Sequence, residues 1–222
     1  MALPDFTSLL EEHPSIKHYT PASQDFDAVA SAFLAVQHKP PVILRPQSAA
    51  DVAAIITHCT ATSTPFVVRS GGHDVQGRSQ TAGALRIDMR DIAHVDVAGD
   101  RKTARVGGGV LFGPLLKALS AEGLVTPMGS VPDVGYAGWA TLGGYGPTMP
   151  SFGLGVDQIV GARVVNYKGE IVEADEELLE ALRGGGGNFG VVVELTIKVY
   201  PEQEVWLTPF LATPQSTVDG NC

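Results

Sequence analysis

Three glycine-rich segments, each beside a strand-like run of apolar residues, constrain this chain more than any other feature of its sequence. They lie at 69–74 (Arg-Ser-Gly-Gly-His-Asp), at 129–146 and at 183–190 (Arg-Gly-Gly-Gly-Gly-Asn-Phe-Gly). Glycine makes up 26 of the 222 residues and is clustered rather than spread. Because glycine has no Cβ, such clusters favour backbone that approaches a ligand closely.

The first third of the chain has the pattern of a parallel strand–helix–strand unit. Residues 40–46 predict a short strand between prolines. A helix should follow, because Val52, Ile55, Ile56 and Cys59 recur at helical spacing after Ser48, a candidate N-cap. Residues 66–69 then predict a buried strand that opens into the first glycine-rich segment.

The rest of the chain has a more antiparallel pattern. Apolar residues at 85, 87 and 89 alternate with charged ones and predict a half-buried strand. Residues 162–166 and 170–174 predict a hairpin, and 193–199 a final strand. The sequence therefore predicts an α+β fold with two lobes: a small parallel α/β lobe over about 38–100 and a mainly antiparallel β lobe with helices over about 101–200. Residues 1–37 are expected to form a helical lead-in, and 201–222 a tail without periodicity.

The first glycine-rich segment directly follows a predicted strand. Adjacent glycines allow consecutive backbone N–H groups to point into one concavity, which binds a phosphate or pyrophosphate. The alternative is a simple turn. His73 within it has no partner at metal-ligand spacing, so the residues alone leave a chemical and a structural role for His73 equally open.

The other two glycine-rich segments have different implications. The apolar residues interleaved with the glycines of 129–146 favour a wall of backbone against a flat cofactor over a flexible surface loop. The segment at 183–190 resembles a dinucleotide fingerprint, but a strand rather than a helix follows it. This order excludes a nicotinamide-binding Rossmann unit.

Composition and charge exclude several other classes of protein. The formal net charge is −9 and Lys and Arg form no cluster, so neither nucleic acid nor an anionic membrane is an expected partner. Two cysteines without CxxC spacing predict neither a disulfide framework nor a zinc site, and no metal is expected. The N-terminal residues lack the pattern of a signal peptide, and the expected location is the cytoplasm.

Taken in order, the motifs of residues 38–200 resemble those of the FAD-binding PCMH-type domain of the vanillyl-alcohol oxidase superfamily. The likeness is greatest to the berberine-bridge-enzyme-like and 6-hydroxynicotine-oxidase-like FAD-linked oxidoreductases. The motifs that carry it are Arg69-Ser70-Gly71-Gly72-His73, Ile87-Asp88, Val106-Gly107-Gly108-Gly109, Val134-Gly135 through Gly146, Phe152-Gly153-Leu154 with Asp157, and Ala181-Leu182-Arg183-Gly184 through Val192.

The resemblance implies a set of cofactor-binding residues. His73 would attach covalently to the C8α methyl group of the flavin. The pyrophosphate would be wrapped by Arg69, Ser70, Gly71, Gly72, His73 and Asp74, with Ser79 lining the same turn. The ribityl chain and ring would lie along Gly129, Ser130, Val134, Gly135, Gly138 and Gly144. Gly190 and Val191 would approach the adenosine end.

Three departures from the family pattern qualify this assignment. Val131 stands where bicovalent members have a cysteine, so one covalent link at most is expected. Trp139 stands where plant-type members have a histidine, which puts a polar role at that position in doubt. Family enzymes continue into a substrate domain that usually holds the catalytic base. We expect it to be absent here, because the chain is either naturally short or truncated, and the catalytic residues are therefore unknown.

Two functions remain open. The first is an FAD-linked oxidoreductase that oxidises a small organic alcohol, amine or related centre by hydride transfer to the flavin, with reoxidation by oxygen. The second is a truncated or non-catalytic flavin-binding protein that needs a partner, or a non-redox cyclase or isomerase on the same scaffold. Apolar surface left uncovered by an absent domain would favour a partner chain or self-association.

Overall fold

A computed structural model of the protein describes residues 5–33 and 39–202. These residues form two main sheets and a small two-stranded one, with helices packed against them, which confirms the predicted α+β class. The helices are α1 Thr7–Glu12, α2 Phe26–Ala30, α3 Ala49–Ala61, α4 Phe112–Ala121, α5 Tyr136–Ala140, α6 Met149–Phe152 and α7 Glu176–Gly185. The strands are β1 Lys17–Tyr19, β2 Ile43–Arg45, β3 Phe66–Arg69, β4 Leu85–Asp88, β5 Val95–Val97, β6 Thr103–Gly107, β7 Leu124–Val125, β8 Ile159–Val165, β9 Ile171–Glu173, β10 Val191–Lys198 and β11 Tyr200–Pro201.

The first sheet is a small, mostly parallel one in the order β1-β2-β4-β3. Strands β2 and β3 both run parallel to the central β4, as the strand–helix–strand pattern predicts. The connecting α3 begins at Ser48, whose hydroxyl accepts the Asp51 backbone N–H, as its N-cap position requires. Helix α3 buries Val52, Ile55, Ile56 and Cys59 against this sheet, so the predicted apolar stripe is confirmed.

Two burial predictions for this sheet are wrong, and strand position explains both. Strand β4 was expected to be half-buried, yet all four of its residues are buried, including Arg86 and Asp88. Strand β3 was expected to be buried, yet it lies at the sheet edge, with Phe66 and Val68 about one-third exposed. The open edge of β3 leaves Val68 available to a cleft.

The second sheet is antiparallel throughout and has the order β5-β6-β10-β8-β9. Strands β8 and β9 form the predicted hairpin. Helices α4 and α5 contribute Phe112, Leu115 and Tyr136 to the apolar core beneath this sheet. Strand β5 belongs to this sheet, so the chain passes from one lobe to the other between Asp88 and Val95, earlier than the boundary predicted near residue 100.

A glycine triplet joins the two lobes. A Cβ on Gly107 or Gly109 would overlap the carbonyl oxygens of Ile92 and Met89, and one on Gly108 would overlap that of Val192. The Gly109 N–H donates to Ile92 O at 2.9 Å. Three backbone segments therefore cross here at a distance that only glycine allows.

Residues near both ends of the described chain form strand pairs that the sequence did not predict. The segment expected to be a helical lead-in includes strand β1, which pairs with β2 in the first sheet. Pro201, placed in the predicted tail, pairs with Leu124 through β11 and β7. The remainder of that tail, 203–222, lies outside the described residues. Within the parts of the chain that are described, no helix is long and apolar enough to span a membrane.

Candidate cofactor site

The first and second glycine-rich segments meet between the two lobes. Gly71, just after β3, lies so close to the second segment that a Cβ on it would overlap Gly135 N and come within 2.6 Å of Asp133 O. A Cβ on Gly135 would in turn lie 2.5 Å from Gly71 N and overlap the Ser70 side chain. Gly72 has a φ of +80°, which favours glycine. Two turns without side chains thus bring their backbones into direct contact.

A cleft of about 630 Å³ opens where these turns meet. This volume is typical of a site for a small organic ligand. The lining combines backbone from the two turns with apolar side chains and a few polar or charged ones. The lining residues are Val68, Ser70, Gly71, Gly72, His73, Asp74, Val75, Arg78, Ser79, Val134, Gly135, Gly138, Trp139, Leu142, Gly143, Gly144, Tyr145 and Leu154.

Two serines that line the cleft have hydroxyl groups without a hydrogen-bond partner. The Oγ atoms of Ser70 and Ser79 are buried, and neither has a hydrogen-bond partner among residues 5–33 and 39–202. Buried polar groups in proteins are almost always paired, so each of these hydroxyls has bonding capacity left for a ligand. Phosphate oxygens accept hydrogen bonds from hydroxyl groups, so the pair fits the pyrophosphate of a dinucleotide.

Asp74 organises the turn that carries Ser79. Its carboxylate accepts the backbone N–H groups of Gln76 and Arg78 and pairs with the Arg78 side chain at 3.1 Å. Burial alone would raise the pKa of Asp74, but these hydrogen bonds outweigh it and lower the pKa. Asp74 therefore stays ionised and holds the turn, rather than acting as a proton donor.

His73 is held at the cleft wall between two side chains that sequence reasoning missed. Its imidazole is 16% exposed and stacks on the ring of Phe33, with centroids 4.6 Å apart and planes 21° from parallel. On the other side, Nε2 lies 3.1 Å from Oδ1 of Asp133. The Phe33 N–H donates to Gly72 O at 3.3 Å, which ties the stacking residue to the same turn.

Arg69 lies beneath the cleft and does not line it. It is 4% exposed, and its Nη1 donates to Val29 O at 2.7 Å. Burial, together with the charge of Arg90, lowers the pKa of Arg69 to about 10. A Cβ on Gly72 would lie 2.7 Å from Arg69 Nε, so the guanidinium supports the turn from inside.

Four other predicted residues also lie outside the cleft lining. Gly129 packs on the Phe112 ring, because a Cβ on Gly129 would lie 2.7 Å from an atom of that ring. Ser130 is exposed. A Cβ on Gly190 would lie 2.5 Å from the side chain of Val164, and Val191 is buried in the core.

The third glycine-rich segment packs behind α5. Gly184 N–H donates to Thr141 O at 2.8 Å, and a Cβ on Gly186 would lie 2.9 Å from Leu142. Glycines of the third segment thus pack closely against 141–142 and 164–165, and none of them is among the residues that line the cleft.

The structure thus brings ten of the fifteen predicted residues together. These ten are Ser70, Gly71, Gly72, His73, Asp74, Ser79, Val134, Gly135, Gly138 and Gly144. Sequence reasoning missed eight lining residues: Val68, Val75, Arg78, Trp139, Leu142, Gly143, Tyr145 and Leu154. A signal existed for Arg78, because it stands four residues after Asp74 at the spacing of an ion pair.

The comparisons with known proteins agree with this geometry. The family described as FAD binding domain matches residues 40–175. The FAD-linked oxidoreductase aurO of Gibberella zeae is 42% identical over 198 residues, which cover 88% of this chain and 39% of that protein.

Two solved structures superpose well. The 6-hydroxy-D-nicotine oxidase from Arthrobacter nicotinovorans gives a TM-score of 0.80 at 34% identity, covering 83% of this chain and 42% of that one. The second structure is the glucooligosaccharide oxidase from Acremonium strictum, which carries a 6-S-cysteinyl, 8α-N1-histidyl FAD. Its TM-score is 0.80 at 28% identity, and the match covers 88% of this chain and 42% of that one. The chain spans about two fifths of the length of these proteins. The motifs, the fold and the match over 40–175 together establish that the chain belongs to the FAD-binding PCMH-type domain family, as the sequence predicted.

Proposed function

We propose that this chain is the cofactor-binding part of an FAD-linked oxidoreductase, with FAD attached covalently to His73. The observation that carries the proposal is the cleft between the first two glycine turns, which is lined by His73 and by two serines whose buried hydroxyl groups have no hydrogen-bond partner. When bound, FAD supplies a two-electron acceptor that takes a hydride from a substrate carbon and is reoxidised by dioxygen with formation of hydrogen peroxide.

The lining residues have distinct roles in this proposal. The hydroxyl groups of Ser70 and Ser79 would donate to the pyrophosphate, and the turn that Asp74 organises holds Ser79 in place. The backbone around Gly135 and Gly138 faces the ribityl chain. Apolar side chains of the lining, such as Val68 and Leu154, would contact the flavin ring and exclude water from it.

A single covalent link is proposed rather than two. The Acremonium strictum oxidase uses a cysteinyl and a histidyl bond. In this chain Val131 has only a hydrocarbon side chain, and His73 is the proposed nucleophile, with its Nε2 3.1 Å from a carboxylate oxygen of Asp133. The two named relatives act on chemically unlike molecules, a hydroxynicotine and glucooligosaccharides, so the proposed substrate class stays at a small organic alcohol or amine.

Acid precipitation tests the covalent link. In the purified, flavin-loaded wild-type protein, we expect the yellow flavin to stay with the acid pellet. In His73→Ala it should pass into the supernatant. His18→Ala, which changes an exposed histidine of β1 outside the cleft, is the matched control and should retain flavin in the pellet. Release of all flavin from the wild type would exclude the covalent bond.

One observation favours a second function, flavin binding without turnover until a partner completes the site. The rim of the cleft exposes large apolar side chains, with Val75 at 71%, Leu142 at 52% and Tyr145 at 76%. Anaerobic mixing of the flavin-loaded protein with a panel of alcohols and amines separates the two functions. Loss of the 450 nm absorption, with recovery in air, indicates an oxidase. Persistent absorption with every compound favours the second function.

A further inference from the structure

The imidazole of His73 is restrained on two sides by residues that neither the family match nor the sequence motifs assign. Phe33 stacks on its face at 4.6 Å between centroids, and Asp133 lies 3.1 Å from its Nε2. Neither neighbour is needed for a core, since Phe33 is 62% exposed and the Asp133 side chain 67% exposed. Substitution of exposed residues usually changes stability little, so variants at these two positions can be compared in the folded protein.

Asp133 selects which nitrogen of His73 can react. A carboxylate beside Nε2 favours the tautomer that carries its proton there, which leaves a lone pair on Nδ1. Only a ring nitrogen with a lone pair can attack carbon. The charge of Asp133, whose Oδ1 lies 3.1 Å from Nε2, stabilises a proton on that nitrogen, and Nδ1 is then the nucleophilic atom.

Phe33 fixes the plane of the same ring. It follows α2, whose last carbonyl groups are tied to the first sheet: Val29 O accepts from Arg69 and Arg90, and Ala30 O accepts from Arg86 at 2.8 Å. The Phe33 N–H is bonded to Gly72 O, in the turn of His73 itself. The stacking ring is thus anchored on both sides, which restricts rotation of the imidazole.

We propose that Asp133 and Phe33 are positioning residues for covalent attachment of FAD to His73. This inference rests on the proposed function, because it concerns the bond proposed there. In the step, a C–H bond of the 8α methyl group breaks and a bond from that carbon to Nδ1 forms. The methyl proton and the two electrons of the C–H bond pass to the isoalloxazine ring, the lone pair of Nδ1 supplies the electrons of the new bond, and the Nε2 proton passes to Asp133. Dioxygen then takes up two electrons and two protons as hydrogen peroxide and leaves the oxidised, linked flavin.

The test measures attachment separately from binding. The flavin-free full chain is mixed with FAD, and the acid-stable flavin is followed over time, while the Kd for FAD is taken from fluorescence before attachment. We expect Asp133→Asn and Phe33→Ala to slow attachment by about tenfold or more, as loss of orientation or of a proton acceptor does. The Kd should change less than about threefold, because neither side chain is among the residues that line the cleft.

Controls and rescue variants make the test specific. Asp96→Asn and Tyr167→Ala change exposed residues outside the cleft lining and should attach FAD at the wild-type rate. Phe33→Tyr keeps the stacked ring and should restore attachment. Formate, a small carboxylate, should accelerate attachment in Asp133→Ala, whereas chloride at equal ionic strength should not. Without oxygen, the amount of flavin that becomes reduced and colourless in the wild type should equal the amount that becomes covalently attached.

Each outcome is decisive. Wild-type attachment rates in both variants would overturn the inference and leave the covalent link intact. A Kd for FAD that rises by the same factor as the attachment rate falls would also overturn the inference, because the two residues would then act only on the structure of the site. The same holds if formate has no effect on Asp133→Ala. Absence of acid-stable flavin in the wild type would remove the proposed link itself and this inference with it.

Discussion

At the scale of single residues, the contact between Gly71 and Gly135 decides whether the cleft can form. Neither position has room for a methyl group, because the backbone of the other turn occupies that space. Gly138 also lines the cleft, yet nothing lies within 4 Å of where its Cβ would stand. Gly71 and Gly135 therefore allow two backbone segments to come into contact, whereas Gly138 leaves space for a ligand.

This difference gives a prediction for two alanine variants. Gly71→Ala should lower the free energy of unfolding by about 2 kcal/mol or more, through overpacking, and should abolish FAD binding. Gly138→Ala, within α5, should leave stability unchanged or raise it by up to about 1 kcal/mol, since alanine favours helix. It should nevertheless weaken FAD binding by filling the cleft. Urea unfolding and FAD titration of both variants measure this, and equal stability of the two would contradict it.

At the scale of secondary structure elements, β4 carries a buried charge cluster that the sequence pattern concealed. Asp88 is fully buried and pairs with Arg90 at 2.6 Å and Arg45 at 3.0 Å. Arg69 and Arg86 lie buried nearby. The alternation of apolar and charged residues over 85–90 predicted a solvent-facing side for this strand. The charges face inward instead, because they bind the carbonyl groups at the end of α2 and each other.

Removal of the Asp88 charge should destabilise this cluster strongly. Asp88→Asn leaves the surrounding guanidinium groups without their buried carboxylate. Because a buried ion pair that loses one partner costs about 3–5 kcal/mol, the free energy of unfolding should fall by that amount. Asp96→Asn, which removes a partly exposed carboxylate 3.6 Å from Arg105, should cost less than about 1 kcal/mol. Chemical unfolding at pH 7 compares the two, and similar losses would show that Asp88 stabilises no more than a surface residue.

The same group predicts how stability depends on pH. Burial raises the pKa of Asp88, but hydrogen bonds and charge from Arg90, and the charges of Arg45 and Arg69, outweigh it and lower the pKa. Because the folded pKa lies below the unfolded one, the stabilisation is complete above the unfolded value of about 4. It is lost as the pH falls from there toward the folded pKa. Urea midpoints between pH 7 and pH 3 should therefore fall more steeply in wild type than in Asp88→Asn.

The elements also show how far the sequence allows prediction. Periodicity predicted α3, the β8–β9 hairpin and the long β10, because each follows a single local pattern. The inward charges of β4, the edge position of β3 and the packing of the third glycine segment depend on neighbours distant in the chain. For the same reason the motifs identified the first two turns and His73, while Phe33 and Asp133 emerged only from the folded arrangement.

At the scale of the whole molecule, the cleft rim formed by Val75, Leu142 and Tyr145 is more apolar than a surface exposed to water usually is. Each of these side chains is more than half exposed among the described residues. A contiguous apolar patch beside a cofactor cleft marks a surface that another protein surface covers. The chain also spans only about two fifths of its full-length relatives, whose further residues are therefore proposed to occupy the corresponding face.

We expect this rim to make the isolated chain associate with itself. Sedimentation velocity should show an average mass that rises with protein concentration. The double change Leu142→Gln and Tyr145→Ser should shift the profile toward the 23.3 kDa monomer, because it removes the two largest apolar side chains of the rim. Tyr167→Ser changes a tyrosine that is 71% exposed on the β8–β9 hairpin, away from the cleft, and should leave association unchanged. A wild-type chain that stays monomeric across the whole concentration range would contradict the prediction that the rim drives self-association.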